Sequence, residues 1–205
     1  HEKLQNTDFI FNTQVASVQE GEVTLKDQTT FKSLATIVAT DARELVVSDT
    51  HTSMAWKSCH TLYFEADHRV IRKALIGLIP QQGALINNIF YHTSLETVSN
   101  PSKELLSVTV IDRHQLSDET LISRVKDELQ EHCGIVSPQF IKLYTIPQAL
   151  PNLQDLKTAM HPFESHATPG VFLAGDTLLN GSLNAAMISG ESAALAAIEF
   201  LNKKK

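Results

Sequence analysis

One segment constrains this chain more than any other. Val171-Phe172-Leu173-Ala174-Gly175 is a short unbroken apolar run, the pattern of a strand buried on both faces of a parallel sheet. It runs directly into Asp176 and then, after a short loop, into a stretch from Leu183 onward dominated by alanine, serine and glycine. Strand, tight turn and small-residue helix in that order predict an α/β unit. Gly175 allows a ligand to approach the backbone at the strand's carboxyl end, where open α/β sheets bind their ligands. Asp176 places a carboxylate acceptor at the same point, suited to a sugar hydroxyl. Ser182 or Asn180 can cap the helix, and its first free N–H groups favour an electron-rich or anionic group. Ala186, Gly190, Ala193 and Ala197 fall three or four apart and predict a thin face for close helix–sheet contact. The same arrangement also serves plain packing and capping in many α/β proteins.

A second apolar run, Leu34 to Thr40, has the same character more than a hundred residues earlier. Ahead of it, residues 8–18 and 22–26 read as two strands around Glu20-Gly21. Between the two apolar runs the texture changes. Residues 59–64, 74–79, 84–91, 105–111 and 139–146 are strand candidates separated by turn-forming sequence, including Asn100-Pro101-Ser102. Ser117-Asp118-Glu119 opens a helix whose Leu121, Ile122, Val125, Leu129 and His132 keep helical spacing until Gly134 stops it. Pro147 and Pro151 mark the return to the first kind of sequence. The expected layout is discontinuous: residues 1–50 and 147–205 form one α/β unit, and residues 51–146 form an inserted mixed or antiparallel sheet with a helix.

Composition removes several functions. A net charge of −6, from 17 Lys and Arg against 23 Asp and Glu, excludes a general nucleic-acid binder, which needs a basic surface. No apolar run approaches the roughly 18–20 residues of a membrane span. Cys59 and Cys133 share no close spacing, so neither a disulfide framework nor a thiolate metal site is encoded. With no cleavable signal sequence, a cytoplasmic location is expected. None of the nine histidines has metal-ligand spacing, and no metal is expected. His60, His68, His161 and His166 read as surface or hydrogen-bonded residues. Cys59 reads as a structural thiol rather than a covalent tether. Trp56, Tyr63, Phe64 and Tyr91 read as core residues before lining for an apolar cavity. Lys203-Lys204-Lys205 is a solvated tail. No Gly-x-Ser-x-Gly nucleophile elbow exists, which counts against a hydrolase.

The segment 171–194 resembles the C-terminal flavin-binding signature of the amine oxidase and phytoene desaturase superfamily of FAD-dependent oxidoreductases. The likeness rests on Ala174-Gly175-Asp176, Gly181-Ser182-Leu183-Asn184-Ala185-Ala186, Ser189-Gly190 and Ala193-Ala194. Glu191 stands where members often carry Arg, a departure expected to face solvent. More loosely, Phe11 to Val15 resembles the family's strand whose Val contacts adenine. Leu34 to Thr40 resembles the strand ending in Val-x-Ala-Thr near the nucleotide, and Tyr144 to Pro151 the return from substrate domain to flavin domain. The wording of 180–186 is nearer the phytoene desaturase branch.

The resemblance implies FAD as cofactor and oxidation of a C–N or C–C bond, electrons passing through flavin N5. It implies contacts from Val15, Thr40, Gly175, Asp176 and Ser182. It also implies backbone N–H groups of Leu183, Asn184 and Ala185 at the flavin O2 and N1 edge. It assigns no catalytic residue. The implied fold is a partial Rossmann-like FAD-binding domain with an inserted α+β substrate domain. The glycines, at 21, 77, 83, 134, 170, 175, 181 and 190, cannot form the Gly-x-Gly-x-x-Gly fingerprint that cradles a dinucleotide. The expected partners are therefore the missing N-terminal, dinucleotide-binding half of a longer parent, of which this chain would be the C-terminal portion, and a small, apolar substrate; a homo-oligomer is compatible. The fragment alone is expected to be inactive. The alternative is a non-catalytic binding or assembly module retaining the substrate domain and half a nucleotide fold.

Overall fold

The computed structural model describes residues 6–41, 45–46, 54–96, 102–111 and 115–203. The chain start at residues 1–5, the expected boundary at 50–51, the turn at Asn100-Pro101 and the last two lysines lie outside the described residues. The chain separates into two compact units, one formed by His1–Ala55 with Pro151–Lys205 and the other by Trp56–Leu150.

The first unit opens with an antiparallel meander of β1 (Val15–Gln19), β2 (Glu22–Leu25) and β3 (Thr30–Lys32). Gly21, at φ 73°, supplies the left-handed residue of the tight β1–β2 turn. The strand expected over 8–18 is shorter than its apolar content suggested. Asn12 adopts φ 54° and breaks the extended run, so pairing starts only at Val15 and Phe11 remains 69% exposed. Next comes β4 (Thr36–Val38), the paired part of the second apolar run. That run is not buried on both faces: Leu34, ahead of the strand, and Ile37, within it, are exposed, and β4 is an edge strand of its sheet.

The second unit contains β5 (Trp56–Ala66), β6 (Gly77–Leu78), β7 (Ile86–Tyr91), β8 (Glu104–Ile111), helix α1 (Asp118–Cys133) and β9 (Gln139–Pro151). Its strands form one sheet in the order β6-β7-β8-β5-β9. β5 and β8 pair antiparallel from Cys59 with Ile111 to Ala66 with Glu104. The period-2 pattern sends Leu62, Phe64, Leu106, Val108 and Val110 to one face, where they form a core with Leu121, Val125 and Leu129 of α1. The helix is capped as its sequence predicts. Ser117 Oγ accepts the Thr120 N–H at 3.3 Å, and Gly134 closes it at φ 68° with its N–H on Gln130 O. Glu128 of α1 accepts the N–H groups of Leu85 and Ile86 at 2.9 and 3.0 Å, tying the helix to the start of β7. Two strand expectations are corrected. Residues 74–79 contribute only the two residues of β6, with Leu75, Ile76 and Leu78 exposed. β9 runs through Pro147 instead of ending before it, which an edge strand permits because proline there removes no needed hydrogen bond.

The chain then returns to the first unit with β10 (His166–Thr168), β11 (Val171–Leu173) and helix α2 (Leu183–Lys203). Here the sheet order is β10-β11-β4, with β11 parallel to β4 in the register Val171–Thr36, Phe172–Ile37 and Leu173–Val38. On one face Phe172 and Ala174 pack against Ala193, Ala196 and Ala197 of α2. Val38 and Val171 join Val18 and Val46 in a separate cluster. The buried stripe of α2 is Ala185, Ser189, Ser192, Ala193, Ala196 and Ala197. It is therefore rotated by about one residue from the predicted face: Ala186 and Gly190 are only half-buried, and a Cβ added at Gly190 would touch nothing within 4 Å. Glu191 faces solvent, as do Leu183, Met187, Leu195 and Ile198. Gly170, at φ 74°, makes the turn into β11, and a Cβ there would lie 3.2 Å from the Phe200 ring.

Candidate functional site

The candidate site is the turn between β11 and α2. Ala174 continues the parallel ladder one step past β11, its N–H on Val38 O at 2.9 Å. The chain then breaks upward at Gly175, whose φ of 147° and ψ of 168° belong to a region that essentially only glycine occupies. A Cβ built at Gly175 would meet only Thr177 Oγ1, at 3.8 Å. The glycine therefore answers to backbone geometry, and the space in front of it stays open. Thr40, exposed, lies two residues past β4 as Gly175 lies two past β11, so the parallel register sets both at the same end of the pair.

Asp176 opens a single 3-10 turn, Asp176–Leu178, and the Leu179 N–H returns to Asp176 O at 3.2 Å. The residue is half-buried, and its carboxylate has no hydrogen-bond or ion-pair partner among the described residues. Seven residues after Asp176, α2 begins at Leu183. Ser182 is its cap: Oγ accepts the Ala185 N–H at 3.2 Å and donates to Asn180 Oδ1 at 2.6 Å, while Asn180 Nδ2 donates to Lys157 O at 2.8 Å. This corrects one expected contact. Ala185 is buried and its N–H is spent on the cap, so it cannot face a ligand. The N–H groups of Leu183 and Asn184 have no acceptor among the described residues, and both residues are exposed. They carry the positive end of the 21-residue helix. Val15 lies elsewhere: its side chain is half-buried against the Val18, Val38, Val46 and Val171 cluster.

One residue that sequence reasoning passed over organises the turn. Ser189 is fully buried, and its Oγ accepts the Gly175 N–H at 2.8 Å. The single hydroxyl proton is within reach of Gly175 O at 2.8 Å and Ala186 O at 2.9 Å. A buried hydroxyl must find a partner, and this one clamps the glycine that shapes the turn. The signal was present: a serine on the buried stripe between Ala185 and Ala193.

The remaining candidates are otherwise engaged. His60 is buried, with Nδ1 3.1 Å from Thr145 Oγ1. His161 caps a 3-10 turn, Pro162–Ser165, and His166 Nδ1 donates to Phe163 O at 2.9 Å. Burial pushes the Cys59 thiol above its ordinary range, which disfavours the thiolate. Among the described residues no three His, Cys, Asp or Glu side chains come together to hold a metal. Phe64 and Tyr91 are core, whereas Tyr63 lies on the other face of its sheet. No described helix is long and apolar enough to cross a membrane.

The fold is one shared with solved oxidoreductases. The chain superposes on an oxidoreductase from Methanosarcina mazei with a TM-score of 0.66 at 12% identity, covering 90% of this chain and 49% of that one. A putative protoporphyrinogen oxidase from an Exiguobacterium species matches at 0.63 and 18% identity, over 98% of this chain and 49% of its own. A putrescine oxidase variant redesigned in its cofactor binding matches at 0.58 and 9% identity, over 94% and 49%. This chain thus spans about half the length of the structures it matches. At these identities the likeness defines the fold alone. No protein-family model matches the chain, and no curated protein matches it by sequence.

Proposed function

We propose that this chain supplies one half of the FAD site of a flavin-dependent oxidoreductase that oxidises a C–N or C–C bond. The observation that carries the reading is the β11–α2 turn. An open glycine, a half-buried aspartate whose carboxylate has no partner among the described residues and two helix N–H groups with no acceptor among them lie within ten residues at the carboxyl end of a parallel pair. Those groups match a ribityl hydroxyl and an electron-rich ring edge. When bound, FAD supplies the redox chemistry. Asp176 would accept a hydrogen bond from the sugar-like chain, and Gly175 would permit its approach. The N–H groups of Leu183 and Asn184 would stabilise negative charge at the ring edge, Ser182 would hold them in place, and Ser189 would fix the glycine. Thr40 would border the site from β4.

The residues present fit the flavin end of the cofactor and not its diphosphate, because no glycine pair in these 205 residues can cradle one. The oxidoreductase-like fold, matched over about half of each solved chain, supports a site completed by a Gly-x-Gly-x-x-Gly unit outside these residues. The unit Trp56–Leu150 is proposed to bind the substrate. The test is flavin content of the protein expressed as its gene encodes it. Asp176→Ala should lower FAD affinity about 10-fold, the loss of a charge-assisted hydrogen bond. Flavin content equal to that of the unaltered protein after gel filtration would remove Asp176 from the site.

A further inference from the structure

The segment joining β5 to β6 carries a surface that does not depend on the cofactor reading. From His68 to Leu95 the chain holds Arg69, Arg72 and Lys73 and no Asp or Glu, although acids outnumber bases in the whole sequence by 23 to 17. The acids that meet its flanks are already neutralised: Glu104 pairs with Arg69 at 3.0 Å, and Asp67, just ahead of the segment, pairs with Lys103. Arg72 and Lys73 meet no carboxylate among the described residues.

Two anchors give the segment its shape. Ile71 and Ile79 pack against the α1 core, and a Cβ at Gly77 would lie 2.5 Å from Ile71 Cδ1, so the glycine makes room for the first anchor. The Leu75 N–H turns back onto Lys73 O at 2.8 Å. Between the anchors, residues 72–76 are all exposed. Leu75 is 58%, Ile76 64% and Leu78 70% exposed. Five consecutive exposed residues stand out from the surface, since a groove would cover one side of them.

We propose that residues 72–78 dock this chain onto a bilayer that contains anionic lipid. Connecting loops are ordinarily polar, so three large aliphatic side chains within four residues mark contact with something apolar. Two unpaired cations beside them match a neighbour whose surface is anionic. A peptide partner is held in a groove or along a sheet edge, whereas a bilayer with anionic headgroups receives a protrusion. Leu75, Ile76 and Leu78 enter the boundary between headgroups and acyl chains, and Arg72 and Lys73 sit among the phosphates. Each cation strengthens attachment about fivefold and each partly buried aliphatic side chain about tenfold. Together they reach about 10⁴ M⁻¹, the reversible attachment that a single acyl chain gives.

The protein, expressed as its gene encodes it, should sediment with vesicles of phosphatidylcholine containing about 30% phosphatidylglycerol, and about 25-fold more weakly with phosphatidylcholine alone. Arg72→Gln with Lys73→Gln should abolish that difference, as should raising salt from about 0.05 to 0.5 M. Leu75→Ser with Ile76→Ser should weaken attachment to both vesicles about 100-fold. Leu78→Asn, a single exposed change costing about tenfold, repeats the test should a double variant not fold. Lys26→Gln, an exposed lysine of the other unit, should change nothing. In Leu75→Trp the added emission should move to the blue with anionic vesicles and be quenched by brominated lipid. No sedimentation at about 1 mM lipid, equal binding to both vesicles, or an equal loss in Lys26→Gln would each overturn the proposal. So would Leu75→Trp emission already blue before lipid is added, which would put the rest of the protein over the loop. Self-association lost in the apolar variant would overturn it too, by putting a second copy there.

Discussion

Removing the Ser189 hydroxyl probes the turn at its least replaceable point. In Ser189→Ala the Gly175 N–H loses its acceptor, 2.8 Å away in the native fold, in a place where the hydroxyl is fully buried. A buried donor left unsatisfied costs about 1–3 kcal/mol, and the volume removed is too small to admit a compensating water. Hydrogen bonds to Gly175 O and Ala186 O are lost together, but these share one proton and count once. In a chain of this size the expected loss lowers Tm by about 2–4 °C per kcal/mol. Urea titration gives the free energy, and amide exchange locates it: the Gly175 amide should exchange faster while those in α1 keep their native rates. Ser189→Cys, with a weaker donor and acceptor, should fall between. A loss under about 0.5 kcal/mol, with Gly175 exchange unchanged, would show that the turn holds itself without the clamp.

Other perturbations test separate links. Gly170→Ala forces a side chain onto a φ of 74° and against the Phe200 ring at 3.2 Å, so urea titration should show a loss of about 1–3 kcal/mol. Glu128→Ala strips the charged acceptor from the Leu85 and Ile86 N–H groups and should destabilise the Trp56–Leu150 unit by about 1.5–3 kcal/mol, seen in the unfolding of its near-ultraviolet signal. Stability should also fall in acid. Lys32, Lys103, Lys157 and Lys203 hold Glu22, Asp67, Glu164 and Glu199 below their ordinary values of 4.5 for Glu and 3.8 for Asp. A lowered native value means that the contribution is complete above the ordinary value and lost as pH falls through the native one. The urea midpoint should therefore hold level down to about pH 5, decline below it, and decline less at high salt, because these groups are on the surface.

Much of this was legible in the sequence because it is local. The caps of α1 follow from Ser117 and Gly134, and the β11–Gly175–Asp176–α2 succession follows from one apolar run and one stripe of small residues. What was not legible depends on neighbours distant in the chain. Leu34 to Thr40 has the composition of a central strand, and only the sheet order shows β4 at an edge. Pro147 reads as a break, and only an edge position lets β9 pass through it. A shift of about one residue in the buried face of α2 separates Gly190, where an added Cβ would meet nothing within 4 Å, from Ser189, which holds the turn. Helical periodicity does not resolve so small a rotation. At the mouth of α2 the sequence names Leu183, Asn184 and Ala185 alike. The serine cap then takes the third and leaves two.

The account turns on whether the amides that open α2 bind a flavin. The protein, expressed as its gene encodes it and ¹⁵N-labelled, can be stripped of cofactor and titrated with FAD while amide shifts and visible absorbance are followed together. The account predicts absorbance near ~450 nm from bound oxidised flavin, with the Leu183 and Asn184 amides shifting in step and the Ala185 amide, tied to Ser182, moving least. A colourless protein after FAD addition, or a yellow one whose Leu183 and Asn184 amides stay in place, would contradict it.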